Sequence, residues 1–267
     1  MNATLLRHTL SAQFARLIII AVALAGWGAL MPVIYVNYGA QFRQLLDSGL
    51  IPRQFADFGG GDIFSLPGSI ALGFIHPISV ALNAVFAVGF AAAAVAGERQ
   101  RGTLEVLLAR PLSRRVVALT LYVCVLAFVA VTMAALLGGA WITVTLTGST
   151  GELDVGRLPV LWLNGVLLFG ALGAIGLAAS VSFDRLTPAL GIGLGVAIVS
   201  YFLEILGSLW PDAKGLQPLS LFHYLQARDV LTGNVDPFSF VLLAGVAALA
   251  LAVALVVFPR RDLAAPS

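Results

Sequence analysis

The sequence predicts an all-α fold: a polytopic membrane protein of six transmembrane helices forming one domain over residues 1–267. Three observations carry that prediction. Apolar residues make up 60% of the chain and charged residues 10%, against roughly 45–50% apolar in soluble domains, and the mean hydropathy is +0.98. The apolar residues fall into long runs of about 20, enough for a helix to cross a bilayer. All 15 lysines and arginines lie outside those runs.

Taken in order, residues 1–16 place Leu5, Leu6, Leu10, Phe14 and Leu17 on one helical face, with Arg7 and Arg16 elsewhere. That is the pattern of an interfacial helix lying along the membrane. A cleaved signal, with small residues at Ala21, Ala23 and Ala25, is the competing reading. The apolar run continues to Val36, too long for a signal's apolar core. The first span is 17–36, with Pro32 able to bend its far end. Residues 37–66 form the longest polar connection, carrying Gly59–Gly61 and Arg43, Asp47, Arg53, Asp57 and Asp62.

The second span is 71–96, with His76–Pro77 near its entrance and the small tract Ala91–Ala94 near its exit. The third is 116–140, followed by Trp141, a residue suited to an interface. In the fourth, 159–181, Gly170, Gly173 and Gly176 recur on one side and let another helix approach closely. The fifth, 188–209, carries Gly191, Gly193 and Gly195, open to the same reading; a dinucleotide fingerprint would need a preceding strand in a soluble fold. Residues 216–237 contain an amphipathic stretch, Leu219 to Leu231, bounded by Pro218, Gly233 and Pro237 and read as short outer helices. The sixth span, 238–258, is closed by Arg260, Arg261 and Asp262.

Gly97 to Arg115, between the second and third spans, is where charge concentrates: five arginines and two glutamates. Gly102 suits a helix-breaking conformation, and Thr103 is placed to cap the next turn. Glu105 sits in that turn, where negative charge is favoured. Leu104, Leu107 and Leu108 make an apolar stripe, Pro111 ends the segment, and Ser113 is placed to cap the next long run. A loop that only fixes topology explains the arginines. The stripe points instead to a docking element with a basic rim.

Glu98-x-x-x-Gly102-Thr103-Leu104-Glu105-x-Leu107-Leu108-x-x-Pro111-Leu112-Ser113-Arg114 closely resembles the loop between the second and third spans of type 2 ATP-binding-cassette (ABC) exporter permeases. The match covers about twenty residues; elsewhere the resemblance rests on span count, length and the two termini. Many members carry a lysine soon after the Ser-Arg pair, whereas here Arg115 leads into Val116-Val117-Ala118.

The resemblance implies that residues 97–115 form a cytoplasmic coupling segment whose short helix contacts an ATPase through Glu98, Arg101, Gly102, Thr103, Leu104, Glu105, Leu107, Leu108 and Arg110. It also implies an N-terminal elbow helix. Six spans make half a transporter, so the expected partners are two ABC ATPase subunits and a second permease, identical or homologous. Export is the implied direction, and the residues themselves show none. ATP and Mg would be bound by the partner, leaving this chain without cofactor.

Counting lysines and arginines orients the chain. Ten lie on one side (Arg7, Arg16, Arg99, Arg101, Arg110, Arg114, Arg115, Arg185, Arg260, Arg261) and five on the other (Arg43, Arg53, Arg157, Lys214, Arg228). Positive residues favour the cytoplasm, which places both termini and residues 97–115 inside a cell or inner membrane. Clustering at membrane edges also explains the net charge of +2 without invoking nucleic acid.

Several chemistries are excluded or unsupported. A Walker A loop needs a lysine followed by Ser or Thr; the single lysine, Lys214, is followed by Gly215. Neither a His-Glu-x-x-His zinc site nor a Gly-x-Ser-x-Gly elbow is present, and His8, His76 and His223 are scattered. One cysteine, Cys124, allows no intrachain disulfide.

Glu204 is the one acid inside a span. Intramembrane carboxylates are costly and usually face protein or water. A translocation path, proton coupling, an ion pair with Arg228, and interfacial water near Trp210–Pro211 all fit it. Asn83, a second candidate on that path, and Asn164 read first as interhelical hydrogen-bond partners. Two competing functions stand: an intramembrane enzyme using Glu204 with His76 or His223, and a non-transporting membrane anchor or assembly factor.

Overall fold

Without water to satisfy its peptide groups, a chain this apolar must close its hydrogen bonds within helices. The computed structural model does so, and its described residues are 2–50, 64–109 and 112–261, without the side chains of Val106 and Leu107. Among them there is no strand, and six helices are long and apolar enough to cross a membrane. Arg53, Asp57, Gly59–Gly61, Asp62, Arg110, Asp262 and the Leu107 side chain lie outside the described residues.

Helix α1, Ala3–Asp47, is continuous for 45 residues, about 67 Å at roughly 1.5 Å per residue. The boundary expected between an interfacial helix and the first span therefore falls inside one helix. No proline or glycine interrupts residues 3–25, so nothing breaks the backbone there. Leu6, Leu10 and Leu17 pack on Cys124 and Phe128, while Phe14 is 60% exposed. The apolar face of residues 2–16 thus lies mostly against the bundle.

The second span begins later than expected. Residues 66–75 form a separate buried helix, α2 (Leu66–Ile75), and the span is α3, Pro77–Gln100. Pro77 forces His76 into an extended conformation. The break is stitched by the Ser79 hydroxyl, which reaches the Phe74 and His76 carbonyls, both at 3.0 Å. The short α4 (Leu104–Leu108) comes next, then α5 (Arg114–Leu146). As expected, Ser113 accepts from Val116 N to cap α5, which then runs past residue 140 to the left-handed turn at Gly148.

Helices α6 (Leu158–Ser182), α7 (Leu186–Leu209) and α9 (Pro237–Arg260) supply the remaining spans. α6 is apolar on all sides and the most buried, as befits a central helix. The outer segment starts at Pro211, with tight turns over Pro211–Leu219 and Phe222–Tyr224, then α8 (Ala227–Thr232). Asn164 of α6 ties this segment down, donating to Tyr224 O at 3.0 Å and accepting from Gln226 N at 2.9 Å.

Of the two glycine tracts, that of α6 is a packing face throughout. Leu126 and Val125 crowd the places of side chains at Gly170 and Gly173, at 2.8 and 2.4 Å, and Ala91 and Val88 come to 3.3 Å from one at Gly176. In α7 only Gly193 is so used, while Gly191 and Gly195 have nothing within 4 Å.

Candidate functional site

The charged turn after α3 is locked by its own backbone. Thr103 N donates to Glu98 O and Gly102 N to Arg99 O, both at 2.9 Å, and Gly102 sits at φ +72°. This pair of bonds is a Schellman motif, which ends a helix by satisfying its last carbonyls through a left-handed residue. The Glu98 carboxylate closes the turn, accepting from the Arg101 guanidinium and, at 2.5 Å, from the Thr103 hydroxyl. Thr103 stands where a cap for α4 is expected, yet its side chain makes no such bond. It reaches backward because the Glu98 carboxylate is nearer and charged.

The apolar stripe also has an owner. Leu104 is 2% exposed and belongs to the main core, and Leu108 packs half-buried against that core. Those two leucines hold α4 to its own bundle. Among the described side chains of residues 98–105, the exposed positions are Gln100, Arg101, Gly102, Thr103 and Glu105, and none is apolar apart from the glycine.

Long-range contacts fix this turn to the neighbouring helix ends. Arg99 pairs with Asp184 at 2.8 Å, and Arg261 pairs with the same carboxylate at 2.6 Å. The Gln100 side chain accepts from Leu186 N at 2.9 Å, serving as the cap for α7. Arg114 donates to the carbonyls of Phe258 and Arg261 at the end of α9. Ends of α3, α5, α6, α7 and α9 therefore meet around one charged cluster. Sequence reasoning missed Asp184 and Gln100, because only folding brings residues so distant in sequence to the turn.

The profile of the ABC-2 family transporter proteins matches residues 13–263. The chain belongs to this family. No curated protein matches it. An ABC-2 chain of this kind is the transmembrane permease subunit of an ABC transporter, and here it is a multi-pass membrane protein.

At the opposite end of the permease, a cavity of about 540 Å³ is lined by Glu204, Lys214, Gln217, His223, Arg228 and Asp229, among others. Glu204 and Arg228 share this cavity. Gln217 donates to Glu204 Oε1 at 3.1 Å, and His223 Nδ1 lies 3.7 Å from Oε2. Glu204 Oε2 is buried without a hydrogen bond. Gln217 packs where a Gly207 side chain would sit, 2.3 Å from that position. Glu204 raises His223 above the ordinary histidine value, first as the acceptor facing its ring and then by charge, while partial burial opposes the shift.

Asn83 is buried elsewhere, donating to Ser79 O at 2.9 Å and accepting from Thr132 at 2.8 Å. Its amide thus joins α3 to α5 and does not line the Glu204 cavity. His76 stacks obliquely on Trp27 at 4.6 Å, apart from Glu204 and His223. Among the described residues no group of three metal-binding side chains occurs.

Proposed function

We propose that this permease is half of an ABC exporter, working with a second permease chain and two ATPase subunits that supply ATP binding and hydrolysis. The cell or inner membrane, with both termini inside, is supported by the ten-to-five distribution of positive residues. The observation that carries the coupling reading is the self-locked turn Glu98–Thr103. It presents a polar, exposed surface, while Arg99 and Gln100 tie it to Asp184 after α6 and to the start of α7, and Asp184 links it on to Arg261 after α9. A partner pressing there moves those ends together as a rigid body, and its work comes from contacts that differ between nucleotide states. Export rests on the likeness of Glu98–Arg114 to exporter permeases.

The test replaces the turn residues singly. Glu98→Ala opens the lock, Gly102→Ala forces a left-handed residue at a cost of about 1–2 kcal/mol, and Glu105→Ala changes only the outward surface. Each is expected to insert normally, to lose most transport and to retain less ATPase on co-purification. Undiminished ATPase binding in all three overturns the coupling assignment.

A further inference from the structure

The span α3 is not α-helical throughout. Ala93–Gly97 forms a turn of π-helix just before Glu98, the kind of one-residue bulge that recurs at functional places in helices. Its backbone is completed by a side chain from α6. The Ser180 hydroxyl accepts from Val95 N at 3.1 Å and from Ala96 N at 2.9 Å, and donates to Ala92 O at 2.7 Å. A serine hydroxyl has one donor and two acceptor positions, so all three are in use. Nearby Ser182 bonds its own helix instead, at Ala178 O. Ser180 is fully buried, and the contact is close because Ala92, Ala96, Ala179 and Ala189 pack together there.

We infer that Ser180 is a positioning residue that sets the rotational register between span α3 and the coupling turn. This inference rests on the coupling reading above. An α-helix advances about 100° and 1.5 Å per residue, and a π-turn absorbs one extra residue without rotating the helical turn beyond it. If the bulge relaxed to α-helix, Glu98–Gln100 would rotate by about 100°. Arg99 would leave Asp184, and Gln100 would leave Leu186 N, contacts now at 2.8 and 2.9 Å. Ser180 and Asp184 lie four positions apart near the end of α6, so one element fixes the turn at two points. Ser180→Ala removes the hydroxyl that makes the bulge self-consistent and leaves two buried N–H groups orphaned, which favours relaxation.

The register prediction is tested on the intact chain in nanodiscs, without ATPase. Spin labels at Ala109→Cys and Leu146→Cys report the distance from the turn to the far end of α5; native Cys124 is buried and stays unlabelled. Ser180→Ala is expected to shift or broaden that distance. Deleting Ala94 as well is expected to restore it, because a regular helix then reaches Glu98 in the original register. A wild-type distance in Ser180→Ala, or a shift that the deletion leaves unchanged, overturns the inference.

Should Ser180→Ala fail to fold, deletion of Ala94 alone decides. The wild-type distance supports the register role, and a displaced one overturns it. With ATPase present, Ser180→Ala is expected to lower transport per ATP several-fold, with rescue by the deletion; an unchanged ratio overturns the link to coupling. If the wild-type chain moves nothing, the permease reading fails, while the distance measurement still decides the register.

Discussion

Single atoms decide how closely these helices pack. A Cβ on Gly28 would lie 1.9 Å from Leu136 O, and one on Gly139 would lie 1.9 Å from Ala25 O, so α1 and α5 touch backbone to backbone. Gly139→Ala is therefore expected to destabilise the protein by about 1–3 kcal/mol through overpacking. The neighbouring Gly138→Ala, with nothing within 4 Å, serves as the control in thermal unfolding. At the opposite end, His223 is held above its ordinary value by Glu204. A raised folded value stabilises the protein fully below the unfolded value of about 6.5. That contribution fades as pH rises through the folded value. Melting temperature should fall across that window, and Glu204→Gln should remove the dependence.

At the scale of elements, the turn after α3 is governed by neighbours remote in sequence. Asp184 receives both Arg99 and Arg261 but is itself exposed, so its ion pairs add less than about 1 kcal/mol to overall stability. Asp184→Asn should leave the melting temperature nearly unchanged while raising hydrogen exchange several-fold across residues 98–103. Protection equal to wild type would show that the Schellman motif alone holds the turn. The motif was partly legible in sequence, since Gly102 announces a left-handed residue. The inward aim of Leu104 was not, because a stripe at helical spacing says which residues share a face and not what that face meets.

For the whole molecule, orientation is the property most directly checked. A membrane-impermeant thiol reagent on intact cells should label Leu146→Cys, which is 82% exposed, and should reach Ala109→Cys only after permeabilisation. The reverse pattern would invert the topology and move the charged turn away from ATP. Composition and run length alone determined that the chain is helical, crosses a membrane six times and concentrates charge between spans two and three. Those features arise from solvation, which every residue reports locally. Tertiary structure alone decided three things: the fusion of residues 3–47 into one helix, the break at His76–Pro77 with α2 as a separate buried helix, and the seating of a π-turn on Ser180. The last depends on a hydroxyl in α6 meeting the backbone of α3 some 85 residues away, a meeting that local periodicity does not encode.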